Sequence, residues 1–81
     1  MAKLLTAEGY GRKILDIYRE LNVRPEEMLM LTLLNFRWVK SGERYEDLIK
    51  GLEWLMQVKY LEQKEGKKDV FFLTKVGFAA L

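Results

Sequence analysis

The spacing of apolar residues changes along the last third of the chain. Over residues 45–56 the apolar side chains recur every three or four positions, which is the stripe of an amphipathic helix. Two short runs follow, residues 60–63 and 70–73, separated by a charged segment that contains Gly66. Aromatic and β-branched residues favour strands, and glycine accepts the positive φ of a tight turn. These patterns predict two elements, a helix over about residues 44–58 and a hairpin over about 60–73.

Two further helices are predicted before this segment. Thr6 suits the N-cap position, and apolar residues at helical spacing follow it as far as Leu21. Asn22 then suits a left-handed helix end, whereas Pro25 suits the first position of a new helix. Gly42 provides the next turn. The predicted helices cover about residues 6–21 and 25–40.

The second predicted helix is apolar on most of its sides. Residues 28–39 are mostly large apolar side chains, and a helix that is apolar all round must be covered all round. We therefore expect this helix to be the central element, with part of its cover supplied by a second subunit. The segment is too short for a membrane span, which needs ~20 apolar residues.

The end of the chain predicts one more short helix. Thr74 is a suitable cap, and a helix over about residues 75–81 would return Phe78 and Leu81 to the core. The resulting fold class is mainly α with a small β-hairpin (α+β), in the order helix-helix-helix-strand-strand-helix. A chain of 81 residues fits one domain, here residues 1–81, and buries only about 60–65% of its unfolded surface.

Composition removes most catalytic chemistry. The chain has no cysteine and no histidine, so thiolate chemistry, zinc fingers and imidazole catalysis are excluded. It has no phosphate-binding loop and no carboxylate pair in an apolar setting that would perturb a pKa. We therefore expect no enzymatic activity, no metal site and no cofactor. The N-terminus lacks the apolar core of a secretory signal, and we expect a soluble, cytoplasmic domain.

Several short motifs in the second half resemble the winged helix-turn-helix superfamily of DNA-binding proteins. The motifs are Leu52-x-x-Leu55 in the third helix, Lys59-Tyr60-Leu61 at the first strand, and Phe72-Leu73-Thr74-x-x-Gly77 after the second strand. The resemblance covers roughly residues 44–81. It implies a transcriptional regulator that binds double-stranded DNA, with the third helix in the major groove and the hairpin, or wing, on the flanking backbone.

The first half departs from the pattern of this superfamily. Its members usually carry a short extra helix between the first helix and the recognition helix, where this chain offers only residues 40–43. Either the three predicted helices form the trihelical core with an overlong second helix, or the intermediate helix has been lost. In the second case the first helix would be an appended element, which in this superfamily often builds a dimer.

The predicted DNA-binding surface combines the third helix with the wing. On a helical wheel the core side of that helix is centred on Leu48 and Leu52, and Gly51 and Val58 fall on the solvent side. The net charge of the helix is about −1, and that of the whole chain is only +2, so DNA binding would need a local basic patch. A merely solvated helix face and a wing whose charges only keep it soluble are the alternatives. The residues predicted to contact DNA are Arg44, Asp47, Lys50, Gln57, Lys64, Lys67 and Lys68.

A homodimer is predicted from the abundance of apolar residues. The first helix carries its own apolar stripe, and Leu4 and Leu5 precede it. Trp54 lies nearly opposite the core stripe of the third helix, where the first helix, the C-terminal segment, a partner or a base could cover it. The residues predicted to form the partner or dimer interface are Tyr10, Ile14, Leu15, Tyr18 and Trp54. A second hypothesis is a winged-helix protein-interaction module that docks through the third helix and Trp54 without DNA.

Overall fold

The computed structural model describes residues 6–81, which form four helices and one antiparallel three-stranded sheet. The domain therefore belongs to the α+β class. The strands lie in the order β1-β3-β2, so the strand nearest the N-terminus packs beside the last one. The elements in chain order are α1 (Ala7–Glu20), β1 (Met28–Met30), α2 (Leu31–Lys40), α3 (Tyr45–Gln57), β2 (Leu61–Lys64), β3 (Lys67–Leu73) and α4 (Lys75–Ala79).

Helix α1 begins and ends as its sequence predicts. The Thr6 hydroxyl oxygen accepts a hydrogen bond from the Gly9 amide at 3.1 Å, which satisfies one of the orphan amides of the first turn. Asn22 adopts φ 55°, the left-handed conformation that asparagine tolerates better than most residues. These local signals need no tertiary contact, and both predictions are confirmed.

The predicted helix over residues 25–40 is wrong in its first six positions. Pro25 lies in a turn, and Glu26 has φ 72°, which no α-helix accommodates. The Glu26 amide donates to the Leu73 carbonyl at 2.6 Å, and the Leu73 amide donates to the Glu27 carbonyl at 2.9 Å. The chain is thereby aligned with β3, and Met28–Met30 form β1 against it. Helix α2 starts only at Leu31.

Helix α2 consequently covers the core with one side only. Leu34 and Trp38 are buried, whereas Phe36 is 64% exposed and Val39 is 53% exposed. The prediction that this helix is the central element, covered on all sides, is therefore wrong for the chain on its own. Splitting the apolar segment into a strand and a shorter helix leaves several of its side chains on the surface.

One face of the sheet packs on the helices and the other faces solvent. Leu29 and Phe71 lie opposite each other in register and are both buried, as are Leu61 and Leu73. Strand residues alternate between the two faces, so the neighbours of these four side chains point outward. The helices contribute to the same core the buried residues Ile14, Tyr18, Leu34, Trp38, Leu48, Leu52 and Leu55.

Tyr18 is buried and joins α1 to β3 through a hydrogen bond. Its hydroxyl donates to the Phe71 carbonyl at 3.0 Å, and the ring is fully buried. Burial raises the pKa of the Tyr18 phenol above its ordinary value, because the phenolate would have to leave water. The hydroxyl therefore stays protonated and keeps its acceptor.

The Leu-Thr-x-x-Gly segment has a structural role at the end of β3. The Thr74 side chain accepts from the Gly77 amide at 2.9 Å and caps α4, as the sequence predicts. The same hydroxyl donates to the Lys59 carbonyl at 2.7 Å, with the Tyr60 carbonyl at 3.1 Å. A Cβ atom at Gly77 would overlap the Tyr60 carbonyl, so only glycine fits there. The motif therefore joins α4 to the start of β2.

Within residues 6–81 no helix has the length and apolar character needed to cross a membrane.

Candidate nucleic-acid interface

The exposed side of α3 is a narrow polar stripe. Its residues recur at intervals of four, three and four positions, which places them on one line along the helix. Two carboxylates, one ammonium group and one amide give this stripe a net charge of −1. The stripe consists of Glu46, Lys50, Glu53 and Gln57, and Tyr45 at the first position of α3 is also exposed.

This stripe is rotated relative to the predicted solvent face. Lys50 and Gln57 are exposed as predicted, but Gly51 is buried, and Asp47 and Trp54 are half-buried. The physical reason is the approach of α1, which packs on α3 along the side that includes Gly51. The Asp47 carboxylate, predicted to contact DNA, is half-buried and lies 3.9 Å from the Lys50 ammonium group. Glu46 and Glu53 belong to the exposed stripe.

Arg44 lies at the other end of α3 from Gln57. It occupies the N-cap position with an exposed side chain, and its carbonyl accepts a hydrogen bond from the Trp38 indole nitrogen at 2.7 Å. That bond fixes the backbone of the turn that joins α2 to α3. The guanidinium group is thus carried by an ordered backbone, and it adds positive charge beside the acidic first turn of α3.

The three predicted wing lysines lie together at the tip of the β2–β3 hairpin. Lys64 and Lys67 are directly opposite in register, and Gly66 in the turn between them has φ 81°. The Lys64 ammonium group lies 4.5 Å from the centroid of the Phe72 ring, which holds it on the outer face of the sheet. The side-chain amide of Gln63 donates to the Lys68 carbonyl. All three lysines are exposed.

Most of the predicted dimer interface lies in the core instead. Tyr10, Ile14, Leu15 and Tyr18 are each at most 5% exposed, because α1 packs them against other elements of the same chain. Burial within one chain leaves these side chains no surface to offer a partner. The apolar stripe of α1 is therefore explained by the core alone. Leu4 and Leu5 lie outside the described residues.

Trp54 is covered by its own chain. Its ring packs where α1 comes closest to α3, and a Cβ atom at Gly11 would lie 2.6 Å from the ring carbon Cε3. The Tyr60 ring meets it edge to face, with 5.9 Å between centroids and 89° between planes. The sequence left four groups that could cover this ring: the first helix, the C-terminal segment, a partner or a base. In the structure the first helix lies against it, together with the segment that leads into β2.

The predicted interface residues do not include an apolar surface that the structure exposes on α2 and β1. The signal was present, since residues 28–39 are apolar at more positions than one helix side can bury. The predicted helix began too early and therefore included Met28 and Met30. In the structure these residues lie in an edge strand, where their side chains are exposed. The exposed large apolar residues of these two elements are Met28, Met30, Leu33, Phe36 and Val39.

Over the described residues, no cluster of three or more histidine, cysteine, aspartate or glutamate side chains could hold a metal ion. Comparison of the chain with family models, with curated proteins and with solved structures gives no match.

Proposed function

We propose that this chain is a winged-helix protein that binds double-stranded DNA as a small transcriptional regulator. The observation that carries the proposal is the order α1-β1-α2-α3-β2-β3 with the sheet order β1-β3-β2. Members of the winged helix-turn-helix superfamily usually have a short helix between the first helix and the recognition helix. The ten-residue α2 occupies that position in this chain. The residues that made the second helix look overlong include those of β1. This supports the first of the two alternatives, in which α1, α2 and α3 form the trihelical core.

In this proposal α3 enters the major groove with its exposed stripe. Lys50 and Gln57 are seven positions apart on the same side of the helix, so both would face the base edges. A lysine donates to guanine acceptors, and a glutamine pairs with adenine through both of its amide atoms. Arg44, at the start of the helix, would contact the backbone that borders the groove.

The wing would supply the remaining phosphate contacts. Lys64 and Lys67 face each other across the hairpin, and like charges directly opposite one another destabilise a strand pair. A bound phosphate would relieve that repulsion, which favours an anionic partner at the wing tip. Lys68 follows on the same strand and extends the basic tip.

The acidic residues of α3 set the expected strength of binding. Glu46 and Glu53 would lie close to phosphates and oppose association, so affinity must come largely from the five nearby cations. If all five neutralise phosphates, the logarithm of the binding constant should fall with the logarithm of the salt concentration with a slope of about −4 to −5. Those cations are Arg44, Lys50, Lys64, Lys67 and Lys68.

The test is fluorescence anisotropy of a labelled duplex pool, titrated with the full chain at several salt concentrations. The Lys67→Gln/Lys68→Gln variant should reduce the magnitude of the slope by about 2. Arg19→Gln, on the last turn of α1, is the matched control and should leave the slope unchanged. A missing anisotropy change at low salt, or a flat salt dependence, would contradict DNA binding.

A second function is favoured by the acidic stripe itself. Two carboxylates on the exposed side of α3 suit a basic protein partner better than a phosphate backbone, so the same fold could serve as a protein-interaction module. Trp54 would offer such docking only the part of its ring that Gly11 and Tyr60 leave uncovered, beside Lys50, Glu53 and Gln57. This function predicts no duplex binding at any salt concentration. It also predicts that Glu46→Gln/Glu53→Gln abolishes capture of the partner.

A further inference from the structure

The exposed apolar side chains of β1 and α2 form a surface that the domain does not cover, here named the α2–β1 surface. Their exposed fractions range from 38% to 64%, with Phe36 the most exposed. Together they offer roughly 400–500 Å² of apolar area, which is the size of patch that often marks a binding site on a small protein. The surface comprises Met28, Met30, Leu33, Phe36 and Val39.

The two ends of the α2–β1 surface carry opposite charges. At the β1 end, Leu33 lines a groove together with Glu26 and Glu27. At the other end, Lys40 borders the groove of Phe36 and Val39, and its ammonium group lies 5.6 Å from the Phe36 ring centroid. Arg37 lies on the same turn, with its guanidinium group 3.9 Å from the Glu20 carboxylate.

We propose that a second copy of this chain binds to the α2–β1 surface about a two-fold axis. When the axis runs across the line that joins the two ends, the surfaces meet antiparallel and the acidic end of each faces the basic end of the other. Glu26 of each copy would then lie near Lys40 of the other, and the apolar residues would meet between these charged ends. An arrangement of charges that complements itself in this way fits a second copy better than a uniformly charged partner.

The composition and area of the surface agree with this arrangement. Methionine and phenylalanine are enriched at interface centres, where charged residues are depleted, and methionine adapts to the shape of its neighbour. A stable interface buries about 800 Å² per partner. The apolar centre supplies roughly half of that area, and the charged residues at both ends lie where the rim of the contact would extend.

This dimer does not depend on DNA binding, since none of the proposed DNA contacts belongs to the α2–β1 surface. It keeps the predicted homodimer but replaces α1 with α2 and β1 as the contact. The two proposals therefore fail separately. A dimer that binds no duplex would contradict only the proposed function, whereas a monomer that binds duplex would contradict only the dimer.

The first test is sedimentation equilibrium of the full chain between about 1 and 100 μM, in the range where small-protein interfaces associate. We expect the mass to rise from 9.6 kDa toward twice that value with concentration. Phe36→Glu replaces the most exposed apolar side chain of the contact with a carboxylate in each copy and should hold the mass at that of one chain. Val76→Glu on α4 is the matched control, because Val76 is similarly exposed at 59% but lies outside the surface.

A charge exchange tests the antiparallel arrangement. Lys40→Glu makes both ends of the surface acidic, and Glu26→Lys adds a base to the acidic end, so each variant alone should self-associate about tenfold more weakly. An equimolar mixture should recover the wild-type affinity, because the two variants complement each other at both ends. Circular dichroism melting identifies any variant that fails to fold. Wild-type chain that stays at 9.6 kDa, an unaffected Phe36→Glu dimer, or a mixture without recovery would overturn the proposal.

Discussion

Gly11 and Gly51 face each other where α1 and α3 cross. A Cβ atom built on Gly51 would lie 2.9 Å from the Gly11 backbone nitrogen and 2.7 Å from the Ile14 Cδ1 atom. Real Cβ atoms are not found at such distances, so the two helices are as close as their backbones allow. The Trp54 ring lies against the same crossing. The close approach that the two glycines allow therefore lets α1 cover part of this ring.

The helix crossing predicts a destabilising Gly51→Ala substitution. Alanine normally gains about 1 kcal/mol over glycine inside a helix, but overpacking a core contact costs about 1–3 kcal/mol. The neighbour that must move is the backbone of α1, so we expect a net loss in the free energy of unfolding. Urea unfolding measures it, with Glu53→Ala on the exposed side of α3 as the control, expected to change stability by less than about 0.5 kcal/mol. A stabilised Gly51→Ala would contradict the close crossing.

Leu52→Ala tests the core side of α3. Leu52 is 1% exposed and packs in the middle of the core, and truncating such a leucine costs about 2–5 kcal/mol. That loss is comparable to the whole stability of a small domain, so we expect the variant to be largely unfolded at 25 °C. The measurement is a thermal melt by circular dichroism. A melting temperature lowered by only a degree or two would mean that α3 does not bury this side.

Tyr18→Phe should change the alkaline part of the stability curve. The unfolded phenol loses its proton near its ordinary pKa of about 10, whereas burial keeps the folded phenol protonated to higher pH. Tyr18 therefore makes its full contribution to the free energy of unfolding below pH 10. Above that pH the contribution falls by about 1.4 kcal/mol per pH unit. The Phe71 carbonyl also loses its donor in the variant, at a cost of about 1 kcal/mol.

Urea unfolding at pH 8 and pH 11 separates these two effects. The variant should be less stable than the wild type at pH 8 and should lose less stability between the two values. The remaining tyrosines are present in both proteins, so their contributions cancel in the comparison. Identical slopes for wild type and variant would show that the Tyr18 phenol is not held protonated by the fold.

Glu53→Gln should strengthen DNA binding if α3 enters the major groove. The substitution removes a carboxylate from the centre of the exposed stripe and keeps its size. Relief of repulsion from phosphates should raise the affinity for duplex by about threefold to tenfold at low salt. Glu8→Gln, on the exposed first turn of α1, removes the same charge elsewhere. Equal gains from both variants would indicate a general charge effect and no insertion of α3.

Local signals predicted most elements of this fold. The N-cap threonines, the turn glycine Gly66 and the stripe of α3 act within a few residues, and the corresponding helices and hairpin lie within a few positions of their predicted bounds. Strand β1 was missed because three apolar residues directly before an apolar helix show no period of their own. Its conformation depends on pairing with β3, about forty positions later, which no local pattern records.

The candidate site was predicted only where exposure alone was needed. The wing lysines, Lys50 and Gln57 are on the surface as expected, since charged and amide side chains rarely lie in a core. The rotation of α3 was misjudged because Gly51 has no side chain and looks like a solvent position on a helical wheel. Its lack of a side chain is the reason that α1 packs there.

The hydrogen bond between Tyr18 and Phe71 joins positions 53 apart in the sequence. Closing so long a loop costs entropy that is recovered only after the intervening elements have packed, and folding slows as the share of such distant contacts rises. The last turns of α1 are therefore buried only after β3 has been synthesised and has packed against them. A ribosome that has released α1, α2 and α3 but not the hairpin holds a chain whose core is still open on one side. The hairpin is the segment that closes this side of the core when it emerges, and a wing removed to abolish nucleic-acid contacts would remove part of the core with it.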